Sequence, residues 1–300
     1  MEEFFERFAG YPVVSLVDLF SGYNQCTLDP ASRDITAFPT PLGLMRMTTL
    51  PMGYTNSVQV FDRVMRKVLQ QQILRGRCEP FIDDVAAKPP SRLTYPDADG
   101  KPVIPEVRLY ILEAIQSLDE VLAYIERAGG TTSGFKSAFV CEGLKIVAFV
   151  CDSEGRHPVA EKVRKIVEWP ACRNVMEARA FIGICVYYRA WIKDFSVMAE
   201  PIFRLFLPSH VISKAPPEKK RKRKEVEFVW GAKQEKAMEK LKTALSSAPA
   251  LKPLVYTPEG NGFVGRIVLG VDACGLGFGA ILQQEDRESR SHTVSYESGL

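Results

Sequence analysis

Along the first half of the chain the spacing of apolar positions changes several times, and each change predicts an element. Residues 13–18, Val-Val-Ser-Leu-Val-Asp, are apolar and β-branched, the pattern of a buried strand that ends on an aspartate. Residues 2–9 before it look helical, and a second strand is predicted at 23–28. Pro39 to Gly43 is turn-rich, and strand character returns at 44–50 ahead of Pro51-Met52-Gly53. Residues 56–74 place Val60, Phe61, Val64, Met65 and Val68 on one helical face, with Thr55 or Asn56 as cap. Phe81-Ile82 leads into Asp83-Asp84, and Ala86 to Gly100 reads as a Pro-rich loop. Residues 106–127 repeat Leu109, Leu112, Ile115, Leu118, Leu122 and Ile125 at a helical period, stopped by Gly129-Gly130. Helices and strands alternate, which predicts an α+β layer.

After Gly155 the pattern becomes helical and basic. Residues 160–168 and 175–206 carry Lys162, Arg164, Lys165, Arg179, Arg189, Lys193 and Arg204. Residues 214–225 form a charged linker containing Lys219-Lys220-Arg221-Lys222-Arg223-Lys224, readable as a nuclear signal or as a solvated, self-repelling spacer. A helix is predicted at 232–246, and Gly262 to Leu282 reads as paired strands.

Composition narrows this picture without replacing it. Three hundred residues at 46% hydrophobic content can bury two or three cores. A formal charge of +3 permits a polyanionic partner without requiring one. The seven cysteines form no C-x-x-C pair and His157, His210 and His292 stand apart, so no zinc site is expected and a reduced intracellular setting, cytoplasmic or nuclear, is. No apolar run is long enough for a membrane span. The acidic start, Met-Glu-Glu-Phe-Phe-Glu-Arg-Phe, lacks the basic flank of a signal peptide and reads as the interior of a larger domain.

The candidate chemistry lies in the carboxylates. Adjacent aspartates on a regular strand point to opposite faces, but at a tight turn both can line one edge. Asp18, Asp83 and Asp84 at neighbouring strand ends would repel one another and raise their own pKa values unless cations were shared among them. Three such carboxylates can hold two divalent cations, and two cations can run phosphoryl transfer.

Four ordered strings add a resemblance. They are Val17-Asp18-Leu19-Phe20-Ser21-Gly22-Tyr23-Asn24-Gln25, Thr36-Ala37-Phe38, Leu50-Pro51-Met52-Gly53-Tyr54-Thr55-Asn56-Ser57 and Phe81-Ile82-Asp83-Asp84. Together they resemble the palm of reverse transcriptases from gypsy-type (metavirus-like) LTR retrotransposons. Arg179-Ala180-Phe181-Ile182-Gly183 through Tyr187-Tyr188-Arg189 and Phe228-Val229-Trp230 resemble that family's thumb and connection. Val271-Asp272-Ala273-Cys274-Gly275-Leu276-Gly277 resembles the opening strands of the attached ribonuclease H-like domain.

The resemblance implies an antiparallel palm sheet with helices at 1–155 (fingers truncated), helical thumb and connection at 156–213, the basic linker at 214–225, and a connection helix with a truncated ribonuclease H-like α/β domain at 226–300. It implies Asp18, Asp83 and Asp84 as catalytic metal ligands for two Mg²⁺ or Mn²⁺ ions. Tyr23 would lie under the incoming sugar, or is a half-buried strand tyrosine on its residues alone. Pro51, Gly53, Asn56 and Ser57 would shape the nucleotide and template pocket. Lys136 would stand near the triphosphate, or is a solvated surface lysine. Partners would be deoxynucleoside triphosphates and an RNA or DNA template with primer, gripped by the basic helices. Asp272 would belong to an incomplete ribonuclease H-like site.

Departures are visible as well. Val-Ala-Ala-Lys-Pro-Pro after Asp84 predicts a short or irregular second hairpin strand, Ala87 to Val107 reads as an insertion, and the primer-contacting segment survives only as Ile146-Val147-Ala148-Phe149. Two rival readings remain: a catalytically inactive retroelement protein that binds nucleic acid or a protein partner, and a ribonuclease centred on Asp272.

Overall fold

The computed structural model describes residues 6–92, 104, 106–146, 149–206, 228–256, 264–274 and 277–299. The predicted linker at 214–225, most of the helix expected at 2–9 and most of the Pro-rich loop lie outside the described residues. The chain divides into two compact units, Met1–Val147 with Cys151–Ser153, and Ala148–Val150 with Glu154–Leu300.

In the first unit, β1 (Val14–Asp18), β4 (Cys78–Phe81), β5 (Asp84–Ala87) and β6 (Ala138–Cys141) form one antiparallel sheet in the order β4-β5-β1-β6. The buried residues Val17 and Leu19 and Val85 and Ala87 of β5 pack with Phe61, Met65, Leu118, Val121 and Ile125. Those partners come from α1 (Ser57–Val68) and α3 (Leu109–Arg127), so two amphipathic helices supply the apolar cover that the sheet needs. Pro80 is tolerated because β4 is the sheet's edge, where a missing N–H costs no ladder bond. Glu79, 7% exposed on the same strand, is neutralised by Arg7 and Arg66, each at 2.8 Å.

Several predicted elements change form here. Glu6 is helical and Arg7 to Gly10 form a turn, so the predicted helix stops short of residue 9. Residues 23–28 are not a strand: Gly22–Gln25 is a short 3₁₀ turn entered through left-handed Ser21, and only Thr27 bridges to Thr49. The reason is packing, because the turn drives Tyr23 onto Phe61, whereas a strand would alternate its side chains away from that helix. The expected strand at 44–50 contracts to β3 (Gly43–Met45), hairpin-paired with β2 (Phe38–Thr40). The expected helix at 56–74 breaks at Leu69 into α1 and α2 (Gln70–Leu74); the break turns Leu69 itself fully into the core. The long helix forms over Leu109–Arg127, and Gly129 ends it with φ +74°.

Three short strands, β7 (Gly143–Ile146), β8 (Phe149–Asp152) and β9 (Gly155–Pro158), carry the chain onward. The second unit then contains α4 (Ala160–Val167), α5 (Val175–Tyr187), α6 (Phe195–Phe203) and α7 (Ala232–Ser246), with an antiparallel sheet of β10 (Ile267–Cys274), β11 (Gly277–Glu285) and β12 (Ser291–Gly299). The predicted helix at 175–206 is broken around Asp194, which takes the left-handed conformation at φ +54°. The break lets Trp191 stack on Phe149, which also meets the rings of Tyr187 and Tyr188. Asn174 caps α5 by accepting the Glu177 N–H at 2.9 Å, and Glu177 returns the bond by accepting from the Arg173 N–H. The third strand of the sheet, β12, comes after the predicted pair.

Gly155 generates a prediction. Its φ is +137°, and a Cβ there would stand 2.4 Å from the Leu251 carbonyl oxygen, against backbone that the Arg156–Leu251 bridge holds in place. Gly155→Ala is expected to cost the second unit about 3 kcal/mol, from strain and overpacking together. Urea denaturation with tryptophan fluorescence will read the loss.

Candidate active site

The site begins with strand pairing. In the β1–β5 ladder Asp18 lies directly opposite Asp84, with Val17 opposite Val85. In the β4–β5 hairpin Phe81 pairs with Asp84, which leaves Ile82 and Asp83 as a two-residue turn. The Leu19 N–H donates to the Asp83 carbonyl at 2.9 Å, tying the turn back to the end of β1. Ile82 sits at φ +58°, a conformation that costs a β-branched residue about 1–3 kcal/mol. Asp83 is exposed on this turn, whereas Asp18 and Asp84 are half-buried. The second hairpin strand is short, as expected, but regular, each of its four residues pairing on both sides.

Electrostatics follow from that geometry. Burial pushes the Asp84 carboxyl up to about 6, the charges of Asp83 and Asp18 push the same way, and the Lys136 ammonium partly opposes them. Lys136 Nζ lies 3.9 Å from Asp18 Oδ1. The lysine read as either functional or solvated is thus exposed along its stem and paired at its tip. Tyr23 is neither on a strand nor half-buried: the residue is 6% exposed and its ring stacks on Phe61 at 4.8 Å. Burial raises its hydroxyl pKa and the Asp83 charge adds to the shift. Gly22 makes that stack possible, since a Cβ there would meet the Phe61 ring at 2.7 Å.

The remaining predicted residues occupy other positions. Pro51, Gly53, Asn56 and Ser57 form the turn that enters α1, where buried Ser57 donates its hydroxyl to the Pro51 carbonyl at 2.6 Å. Gly53 takes φ +85°, and exposed Asn56 precedes the helix without a side-chain cap bond. Asp272 belongs to the second unit, exposed on β10. Its cross-strand row continues through Gly279 to Ser298, not through a carboxylate, and Glu297 pairs instead with Arg189 at 3.4 Å.

Sequence reasoning missed the clamps around Asp18. The Gln25 amide donates to the carbonyls of Phe20 and Thr131 and accepts the Thr131 N–H at 2.7 Å. Ser133 and Ser137 bond the Asp18 backbone. The signal available was the Ser133-Gly134…Ser137 spacing, a turn composition.

Carboxylate oxygen is the donor that hard divalent cations prefer, and such a cation relieves the repulsion that Asp83 and Asp18 add to the effect of burial at Asp84. The donor set therefore fits Mg²⁺ or Mn²⁺. Among the described residues, no three His, Cys, Asp or Glu side chains already converge as a ready metal cage, so the pairs Asp18–Asp84 and Asp83–Asp84 provide the starting geometry. Among the same residues no helix is long and apolar enough to cross a membrane.

A carboxyl whose folded pKa lies near 6, above its ordinary 3.8, binds a proton more tightly folded than unfolded. Its contribution is fully present at low pH and is lost as pH rises through about 6. Asp84→Asn is therefore expected to melt close to wild type near pH 4, to rise progressively above it between about pH 4 and 6, and to keep a constant lead at higher pH. Scanning fluorimetry across that range in chelator-containing buffer checks this.

Residues 2–170 match the family description "Reverse transcriptase (RNA-dependent DNA polymerase)", and residues 230–300 match "RNase H-like domain found in reverse transcriptase". The retrovirus-related Pol polyprotein from transposon gypsy of Drosophila melanogaster is 28% identical over 90% of this chain and 23% of its own length. A foamy viral protease-reverse transcriptase in complex with ds DNA superposes with TM-score 0.75 at 19% identity, covering 99% of this chain and 44% of that one. A foamy viral protease-reverse transcriptase in complex with RNA/DNA hybrid gives TM-score 0.71 at 19% identity, covering 99% of this chain and 34% of that one. The chain spans about a quarter of the length of the curated relatives it matches. A reverse-transcriptase match across more than half the chain, coinciding with paired aspartates at the junction of β1, β4 and β5, makes this chain a member of the reverse transcriptase (RNA-dependent DNA polymerase) family.

Proposed function

We propose that the first unit is the polymerase centre of an RNA-directed DNA polymerase within a retrotransposon polyprotein. One observation carries the reading: Asp18 and Asp84 face each other across the β1–β5 ladder while Asp83 projects from the adjoining turn. Asp18 and Asp83 would be the principal ligands of two divalent cations, with Asp84 secondary. When bound, the ions supply a lowered pKa at a primer 3′-hydroxyl and charge neutralisation at a triphosphate.

The chain's own residues do the rest. Asp84, held in the ladder on both sides, fixes the opposing carboxylate and keeps its proton up to about pH 6. Lys136 brings a positive charge to the side of Asp18 on which a triphosphate would be held. Tyr23, stacked on Phe61, keeps its hydroxyl protonated through burial and the Asp83 charge. Gly53, with its left-handed φ and no side chain, leaves backbone accessible on the segment before α1. Deoxynucleoside triphosphates and an RNA or DNA template with primer are the corresponding substrates.

The basic residues of the second unit are less free than their number suggests. Arg164 pairs with Glu168, Lys165 with Glu161, Arg189 with Glu297 and Arg204 with Glu200. Exposed pairs of this kind are weak, about 0–1 kcal/mol, so phosphates can exchange for the acids. Each exchange returns a carboxylate to solvent and subtracts from the gain, which favours modest, salt-sensitive duplex binding.

A second reading, nucleic-acid binding without catalysis, needs only the exposed basic side chains of the second unit, Lys162, Arg164, Lys165 and Lys193 among them. Primer extension on an RNA template with Mg²⁺, run with this chain and with a longer polyprotein carrying it, separates the two. Asp83→Asn is expected to lower extension at least about 10²-fold while duplex binding by anisotropy stays near wild type. Extension by that variant at near wild-type rate would sink the metal assignment, and duplex binding without extension by wild type in either form would favour the second reading.

A further inference from the structure

In a regular antiparallel ladder the Asp18 N–H would find a backbone carbonyl on the neighbouring strand. On its β6 side it does not. The β1–β6 register shifts between Val14 and Leu16, where two residues of β1 span three of β6, and Val140 within that step takes φ +51°. Bulges of this kind re-aim the side chains beyond them. Here the Asp18 N–H donates to the Ser137 hydroxyl oxygen at 3.0 Å, and that hydroxyl donates onward to the Ser133 carbonyl at 2.7 Å. The Asp18 carbonyl accepts the Ser133 N–H at 2.8 Å, and the Ser137 N–H closes the turn onto the Ser133 carbonyl at 3.0 Å. One five-residue turn therefore holds both backbone groups of Asp18, and Lys136 rides on that turn.

We infer that Ser137 is a positioning residue for the metal-binding centre: its hydroxyl fixes the backbone of Asp18 and, through the turn it closes, sets the Lys136 ammonium beside the Asp18 carboxylate. The inference rests on the polymerase reading above. The hydroxyl is needed in both directions at once, as acceptor for one group and donor to another, and only serine or threonine supplies that on so short a side chain. Without it the part-buried Asp18 N–H loses its partner, and the carboxylate carried on the same residue loses its fixed origin.

Ser15 provides the control. Its hydroxyl accepts the Val140 N–H at 2.9 Å across the same two strands, three positions before Asp18, and so stabilises the bulge without touching the aspartate. A merely structural role for Ser137 predicts that Ser137→Ala and Ser15→Ala behave alike.

The test uses the full chain and two readouts: Mn²⁺ binding followed by the electron paramagnetic resonance signal of the free ion, and primer extension. Ser137→Ala is expected to weaken Mn²⁺ binding about tenfold, with Ser137→Thr within about twofold of wild type. Ser15→Ala is expected to lower the melting temperature while binding Mn²⁺ as wild type does. Ser137→Val, isosteric with the threonine variant, keeps the comparison valid should the alanine variant fold poorly, and it should bind as weakly as alanine. Extension rates at saturating nucleotide should follow the same order. Equal Mn²⁺ binding by the threonine and valine variants, or equal weakening by Ser15→Ala, overturns the positioning role. If wild type neither binds Mn²⁺ nor extends a primer, the polymerase reading itself fails, a result distinct from a normal wild type with an indifferent Ser137.

Discussion

The antiparallel pairing of β1 with β5 is the constraint on which the site depends. Because side chains alternate along a strand, a slip of one residue would carry Asp18 and Asp84 to the face now occupied by Val17 and Val85. Burial of those two valines, each 0% exposed, against Phe61 and Val121 therefore does two jobs. It supplies the apolar driving force for the first unit and it fixes which face the carboxylates share. The aspartates are placed by residues that carry no charge.

Placement has a cost that is concentrated in one hairpin. Ile82 holds a left-handed conformation that glycine would adopt without strain, and Asp84 carries a carboxyl raised to about 6 by burial and by its neighbours' charges. Strain of that kind persists where surrounding structure over-determines it, and here the ladder bonds of β4 and β5 and the Leu19–Asp83 bond do so. Ile82 also packs against the main core, so a glycine there would exchange strain for lost burial. The hairpin is a local compromise between stability and charge placement.

How much was legible in the sequence depended on whether an element was decided locally. The strand ending at Asp18, the helix over residues 109–127 and the helix over 232–246 were readable because their apolar period and their stops agree. The grouping of Asp18 with Asp83-Asp84 was readable because strand ends collect in one place when strands pair. Elements decided by tertiary contacts were not. Tyr23 looked like a strand residue until Phe61 offered a ring to stack on, and Leu69 broke a continuous helical period by turning into the core. Asp194 interrupted another helix through a backbone conformation that its residue type permits but does not announce. Gln25, Ser133 and Ser137 each act through hydrogen bonds across more than a hundred residues, a separation at which single-sequence patterns carry no signal.

The three carboxylates are held with unequal rigidity, and the difference bears on how they would share ions. Asp84 is fixed by pairing on both sides, and Asp18 by one strand partner and by the serine turn. Asp83 sits on the turn between two strands, with its carbonyl bonded but its side chain exposed. Two fixed acids facing each other, with one adjustable acid beside them, give like-charge repulsion a single cheap outlet: Asp83 turns toward solvent. A divalent cation would reverse that balance by attracting all three, and the side chain with the least to lose would move. The absence of a converged cage among the described residues is the arrangement that repulsion among three carboxylates predicts, with Lys136 as the cation seen in contact with Asp18. Convergence would then be a property of the loaded site rather than of the fold, while the β1–β5 register and the Ser133–Ser137 turn would keep the distance to be covered short.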